Sequence, residues 1–167
     1  MKRCFAPVVD SSTRVLLLGS LPGDASLRAG QYYGHPRNQF WMLMGDVLGA
    51  PLPDMDYPER LTCLLAHGVG LWDVVAEAHR PGSLDTAIRD FRQNDLITLL
   101  EDLPDLAAIG FNGTTAHRVG LRALGRAAAV PCLLLPSSSP AHAVPYLGKL
   151  AAWRELGGFL GDGGGRR

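Results

Sequence analysis

The stretch that decides the fold is Val15-Leu16-Leu17-Leu18-Gly19-Ser20-Leu21-Pro22-Gly23. An uninterrupted apolar run (residues 15–18) that stops at glycine and proline is typical of a buried parallel strand that ends in a loop. Segments 69–75, 106–111 and 130–135 also predict strands. Helical spacing or composition predicts helices at 39–48, 59–66, 96–100, 114–124 and 146–160, and from Thr86 towards Phe91. This alternation favours a parallel sheet covered on both faces by helices.

The length of the chain predicts one domain, and its charge balance limits where nucleic acid could bind. The chain has 167 residues, and we expect a single domain at 1–160 followed by a flexible tail at 161–167. Lysine plus arginine (16) equals aspartate plus glutamate (16), so any surface that binds nucleic acid must be local. No apolar run approaches the roughly 18 residues of a membrane span, and we expect a cytoplasmic protein.

The cysteines indicate neither a disulfide framework nor a metal centre. Cys4, Cys63 and Cys132 are far apart, and no Cys/His cluster has ligand spacing. A zinc-dependent base deaminase would need a second cysteine after Cys132, which the sequence lacks. We therefore expect no metal and no cofactor.

Unusual loops follow each predicted strand, after Leu18, Leu71, Phe111 and Leu135. In open parallel sheets, ligands bind beyond the carboxyl ends of the strands. The first of these loops, at 19–23, has glycines that let backbone N–H groups approach a ligand closely, although a tight turn would explain them equally well. It lacks the lysine of a phosphate-binding P-loop and the spacing of a dinucleotide fingerprint.

The segment at 30–41 interleaves aromatic, basic and amide side chains with glycine and proline, reading GQYYGHPRNQFW. Tyr33 is a surface on which a flat base could stack. Asn38 could hold a water or a base edge, but it could also simply cap the helix that follows. Phe40 and Trp41 are expected to pack in the core.

The segment at 135–142 reads LPSSSPAH. Hydroxyl and backbone N–H groups at the start of a helix suit phosphate binding. A plain Ser/Pro loop that caps the next helix is the alternative.

Taken together, these motifs resemble those of the uracil-DNA glycosylase superfamily, most closely its hypoxanthine-DNA glycosylase branch. The matching segments are GSLPG at 19–23, YGHPRNQFW at 33–41 and LPSSSPAHA at 135–143, and the resemblance extends over about residues 14–160. It implies a three-layer α/β/α sandwich with a parallel central sheet of about four strands. It also implies a monofunctional glycosylase of base excision repair that hydrolyses the N-glycosidic bond of hypoxanthine or uracil flipped out of DNA. The alternative is a non-catalytic module that binds DNA lesions.

Two departures from the family pattern support that alternative and also change the expected chemistry. Leu21 stands where many members keep a water-activating Asp or Asn, and Leu135 stands where the most active uracil enzymes keep a His. The resemblance implies that Asn38 orients the water instead. Gly23 stands where strict uracil enzymes keep a Tyr, which implies a pocket roomy enough for a purine.

The resemblance and the residue chemistry together assign three groups of side chains. Asn38 is the catalytic candidate. Asp73 could accept a hydrogen bond from a ring N–H, or it could have a structural role. The predicted base pocket consists of Gly19, Ser20, Leu21, Pro22, Gly23, Tyr33 and Asp73, and the predicted DNA contacts are Arg37, Ser137, Ser138, Ser139 and His142. Because Lys2 and Lys149 are expected to lie away from the sugar, we expect no lyase step. We expect the protein to be a monomer that binds DNA and does not bind a membrane.

Overall fold

The computed structural model describes residues 1–161 and confirms the α/β prediction. Four parallel strands form the central sheet in the order β3-β2-β6-β7. Their bounds are β2 Val15–Gly19, β3 Val69–Asp73, β6 Ala108–Asn112 and β7 Cys132–Leu135. Leu17 of β2 lies opposite Leu71 on one side and Gly110 on the other. The predicted deciding stretch therefore forms a central strand.

Helices cover both faces of this sheet, which makes it the middle of three layers. Side chains of β2 alternate: Val15 and Leu17 pack into one core cluster, and Leu16 and Leu18 into the other. The helices that contribute side chains to the first cluster are α2 (Phe40–Leu48), α3 (Tyr57–Ala66) and α6 (Tyr146–Trp153). The helices that contribute side chains to the second cluster are α4 (Leu96–Glu101) and α5 (Thr114–Leu124). Phe40 and Trp41 are buried in the first cluster, as predicted.

A second, three-stranded antiparallel sheet was not predicted. It contains β1 (Lys2–Arg3), β4 (Val75–His79) and β5 (Arg89–Gln93), in the order β1-β4-β5. The apolar run at 69–75 does not form one strand, because β3 ends at Asp73 and the chain turns into β4. The helix predicted from Thr86 towards Phe91 is wrong, since a short 3-10 turn at Asp85–Ala87 leads directly into β5.

Two other boundaries differ from the prediction. The loop expected after Gly23 contains a short helix, α1 (Asp24–Ala29), which Gly30 ends in a left-handed conformation (φ 67°). The last helix changes after Trp153 into a 3-10 segment, Arg154–Phe159. Within residues 1–161, no helix is both long and apolar enough to cross a membrane. The division into a domain and a terminal tail stays a prediction, because residues 162–167 lie outside the described part of the chain.

Candidate active site

A cavity of about 540 Å³ opens at the carboxyl ends of the central strands. This is within the range of roughly 300–1,000 Å³ that is usual for small-molecule sites. Six segments line it: the loop after β2 with the start of α1, the segment before α2, the end of β3, the turn between β4 and β5, the junction of β6 and α5, and the loop after β7. The sequence-predicted residues that line it are Gly19, Ser20, Leu21, Pro22, Gly23, Tyr33, Asn38, Asp73, Ser137, Ser138, Ser139 and His142. Arg37 is exposed and does not line it.

The loop at 19–23 has all five of its carbonyl oxygens engaged by the protein. Those of Gly19 and Ser20 accept from backbone N–H groups of residues 74 and 75, and that of Gly23 accepts from residue 27. The carbonyls of Leu21 and Pro22 accept from the guanidinium of Arg80, at 3.3 and 2.6 Å. Arg80 is itself buried, with 3% of its surface exposed. With its carbonyls held in this way, the loop can present N–H groups to a ligand.

The floor of the cavity brings together two buried polar groups beside Gly19. A Cβ atom at Gly19 would lie 2.7 Å from Asp73 Oδ1 and 2.9 Å from the Tyr33 hydroxyl, so a larger residue there would displace one or both of these groups. Within residues 1–161, Asp73 Oδ2 and the Tyr33 hydroxyl are buried without a hydrogen-bond partner. Buried polar atoms without partners are uncommon in folded proteins and are costly for stability. Their placement at a cavity floor indicates a ligand-binding function.

Burial raises the pKa of Asp73 to about 7, and the charge of nearby Asp85 acts in the same direction. Arg80 opposes both effects. Asp85 accepts a hydrogen bond from the Ser20 hydroxyl at 2.5 Å, and burial raises its pKa as well. Asp73 can therefore change between acid and carboxylate near neutral pH, which is typical of functional carboxyl groups.

Replacing Asp73 with asparagine is expected to stabilise the fold at alkaline pH. The pKa of a carboxyl in the unfolded chain is near 3.8, below the value of about 7 in the folded state, so Asp73 destabilises the fold increasingly as pH rises from 4 to 7. The gain in unfolding free energy for Asp73→Asn should grow by about 3 kcal/mol between pH 4.5 and pH 8. Urea unfolding at both pH values measures it, with exposed Asp54→Asn as the control. If the unfolding free energies of wild type and Asp73→Asn changed in parallel with pH, a raised pKa of the buried Asp73 carboxyl would be ruled out.

Tyr33 is held in an unusual conformation. Its backbone has φ 55°, in the left-handed region that is uncommon for non-glycine residues. Its ring stacks on Phe40, with centroids 4.0 Å apart and planes 13° from parallel. Phe40 is fully buried and does not line the cavity, so it supports one face of Tyr33 and leaves the other for a ligand.

Asn38 lines the cavity and lies one residue before the N-cap of α2, Gln39, whose own side chain forms no capping bond, so Asn38 serves as the cap from one position earlier. Its side-chain oxygen accepts from the backbone N–H of Phe40 at 3.0 Å, at the start of α2. Only the oxygen of an amide can accept, so this bond fixes how the side chain is oriented. A carbonyl oxygen has two lone pairs, and the second is available to a water. The capping and catalytic interpretations are therefore compatible.

The loop after β7 is anchored by a side chain that the sequence analysis did not identify. Asn112, the last residue of β6, accepts from the backbone N–H of Ser138 and donates to its hydroxyl, both at 2.9 Å. Ser138 is only 1% exposed, and its backbone N–H and hydroxyl are both engaged by Asn112, so we assign it a role in positioning the loop, and its predicted DNA contact stays a prediction. Ser137, Ser139 and His142 also lie at the cavity, and His142 is exposed.

The turn between β4 and β5 was also missed as part of the site. Ser83, Leu84, Asp85 and Thr86 line the cavity, and so does His35 from the segment before α2. Asn112 could have been identified from the sequence, because it is a polar residue directly after a predicted apolar strand. Nothing local in the sequence distinguishes Arg80 from a surface arginine. Within residues 1–161, no group of three or more His, Cys, Asp or Glu side chains could hold a metal ion.

Comparisons with known proteins agree with this architecture. The family model of the uracil DNA glycosylase superfamily matches residues 6–157. A hypoxanthine DNA glycosylase of Methanosarcina barkeri is 40% identical over 156 residues, which cover 92% of this chain and 96% of that protein. Another, of Methanosarcina acetivorans, is 44% identical over 144 residues, covering 85% and 89%.

A solved structure shows the same fold. The solution NMR structure of a candidate uracil DNA glycosylase from Methanosarcina acetivorans superposes with a TM-score of 0.85 at 40% identity. The match covers 95% of this chain and 98% of that one. An α/β/α sandwich with a cavity at the carboxyl ends of its parallel strands has its ligand site where open α/β folds generally place it. The chain belongs to the uracil-DNA glycosylase superfamily and is a DNA glycosylase.

Proposed function

We propose that this enzyme removes hypoxanthine from DNA, with the flipped base bound in the cavity at the carboxyl ends of the central strands. The observation that carries the proposal is the pair of buried groups at the cavity floor, the Asp73 carboxyl and the Tyr33 hydroxyl, which lack partners within residues 1–161. The names of the two Methanosarcina relatives support hypoxanthine as the base.

Asp73 is the proposed recognition group. Hypoxanthine carries a ring N–H at N1, and an ionised carboxylate can only accept a hydrogen bond. Asp73 in its ionised form therefore suits this edge and disfavours adenine, which presents a lone pair at N1. Tyr33 would stack on the base with the face that Phe40 leaves uncovered, and N–H groups of the loop at 19–23 would face the base oxygen.

Asn38 is the proposed catalytic residue. Cleavage of the N-glycosidic bond passes through an oxocarbenium-like sugar, and the departing base takes the bonding electrons. The water oxygen then bonds to the anomeric carbon, and the proton that the water loses neutralises the base. The second lone pair of the Asn38 side-chain oxygen would hold the attacking water near the anomeric carbon. The N–H groups of the loop would stabilise the negative charge that develops on the base. Leu21 cannot orient water, and its backbone instead helps to form the loop.

Three side chains at the cavity rim are proposed to bind DNA phosphates: Ser137, Ser139 and His142. Exposed Arg37 would contact the backbone further from the cavity. Asn112 and Ser138 hold this loop in place through their paired hydrogen bonds. Base flipping costs a few kcal/mol of unstacking and costs less at a mispair such as I·T.

The proposal includes a monofunctional, cofactor-free mechanism. A lyase step needs an amine at the sugar, but Lys149 is buried outside the cavity lining. Its ammonium group donates to the side chain of Gln39 at 2.9 Å and to the carbonyl of Ser139 at 3.3 Å. We further propose a monomer in the cytoplasm, and the three free cysteines suit a reducing compartment.

The proposed substrate is tested by release of free base from duplexes that contain hypoxanthine, uracil, xanthine or thymine opposite the same partner. Hypoxanthine should be released fastest under single-turnover conditions. Release of uracil alone, with no hypoxanthine, would overturn the proposed substrate and leave the class of enzyme intact.

Replacing Gly23 with tyrosine is expected to slow hypoxanthine release more than uracil release, by roughly tenfold in their ratio. A Cβ atom at Gly23 would already lie 3.3 Å from the Ser83 hydroxyl, so a tyrosine ring must take space from the cavity. Single-turnover rates on the two substrates measure the effect, and Gly23→Ala provides the small-side-chain control. An equal loss on both bases would contradict the size argument.

A further inference from the structure

The exposed face of the small antiparallel sheet carries four basic side chains around one carboxylate. We call this the basic face, and it consists of Arg3, Glu77, His79, Arg89 and Arg92. Arg3 of β1 and Arg92 of β5 lie opposite Glu77 of β4, and Arg89 lies opposite His79. Residues directly opposite each other in antiparallel strands share a face, so all five side chains project from the same side.

The other side of β4 is part of the core. Ala78, between Glu77 and His79 in the sequence, is fully buried in the cluster on one face of the central sheet. Successive residues of a strand point to opposite faces, so the basic face is directed to solvent. Side chains of Arg3 and Arg92 are 76% and 67% exposed.

Much of the donor capacity on the basic face is unused. Arg3 and Arg92 each give only their Nε–H group to Glu77, at 3.2 and 3.3 Å, one to each carboxylate oxygen. Arg89 donates from one terminal nitrogen to the carbonyls of Thr86 and Ile88, and within residues 1–161 it forms no ion pair. The remaining guanidinium N–H groups have the geometry that binds phosphate oxygens.

The basic face is joined to the base cavity by a short, well-anchored connection. Arg89 follows the turn at Asp85–Ala87, whose first two residues line the cavity. That turn is fixed by the bond between Asp85 and Ser20, and Lys2 of β1 donates to the carbonyl of Gly82 nearby. The basic face therefore lies close to the cavity along the chain and is held in place relative to it.

We propose that the basic face is a second DNA-backbone contact, which binds phosphates of the duplex flanking the flipped nucleotide. The whole chain has no net charge, so DNA attraction must come from a local surface such as this one. Counting His79 as neutral, the basic face carries three positive charges and one negative charge. Glu77 moderates the attraction by pairing with two of the arginines.

The test is binding to an undamaged duplex as a function of salt, which does not depend on which base the enzyme removes. The double variant Arg89→Ala/Arg92→Ala should raise Kd about tenfold and reduce the slope of log K against log salt by about 2, because each phosphate contact contributes about 1. Single-turnover base release at saturating enzyme should stay within about twofold of wild type. Exposed Arg122→Ala, on α5 towards the opposite edge of the sheet, is the matched control.

A second variant separates charge from structure. Glu77→Gln removes the carboxylate and frees two guanidinium groups, so it should tighten binding about twofold to threefold and steepen the salt slope. The proposal is overturned if the double variant binds like Arg122→Ala, or if Glu77→Gln weakens binding. Either result leaves the proposed substrate unaffected, since hypoxanthine release by the wild-type enzyme is measured separately.

Discussion

Replacing Asn38 with alanine is expected to lower the single-turnover rate of hypoxanthine release by about 100-fold or more. The water-holding oxygen is lost, and loss of a positioned catalytic group of this kind typically costs a factor of about 10² to 10⁴. Quenched-flow or manual time courses on an I·T duplex with excess enzyme measure the rate.

The control for this variant must account for the helix cap. Loss of the bond to the Phe40 N–H should cost about 1 kcal/mol of stability, which urea unfolding detects. Asn38→Ser retains a side-chain oxygen that can accept from the Phe40 N–H, but it lacks the amide carbonyl that is proposed to hold the water. If Asn38→Ser recovers the stability but not the rate, the catalytic role stands. Near wild-type rates for folded Asn38→Ala would eliminate that role.

Replacing Gly19 with alanine is expected to lower base release by about 100-fold while the protein still folds. The added Cβ would lie 2.7 Å from Asp73 Oδ1 and 2.9 Å from the Tyr33 hydroxyl, closer than real Cβ contacts. One or both recognition groups must then move, and displacements of about 1 Å at a reacting site can cost about 10² in rate.

The measurement is the single-turnover rate together with the Kd for an inosine duplex. Gly148→Ala is the matched control, because nothing lies within 4 Å of a Cβ at that position. An active Gly19→Ala enzyme would show that the cavity floor does not contact the base.

The central sheet could be predicted because its strands are short apolar runs that end at turn residues. The small sheet could not, because the segment at 69–75 is apolar on both sides of Asp73 and gives no sign that the chain leaves the central sheet after that residue. Strand β5 reads RDFRQ and is exposed at all five positions, so it has no apolar alternation to detect. Its pairing with β4 is a tertiary effect.

The candidate site was predictable where function requires unusual residue types close together in sequence. Tyr33 and Asn38 stood out in this way, and both line the cavity. Arg80 did not, because its partners, the carbonyls of Leu21 and Pro22, are 59 and 58 residues away. Asn112 and Asp85 act through similar long-range contacts, which only the folded chain brings together.

The most direct test of the central claim is a structure of the enzyme bound to DNA that contains a cleavage-resistant 2′-fluoro analogue of deoxyinosine. We expect hypoxanthine in the cavity, with its N1 within hydrogen-bonding distance of the Asp73 carboxyl and its ring stacked on Tyr33. A base bound outside this cavity, or bound with no hydrogen bond to Asp73 and no stacking on Tyr33, would contradict the account.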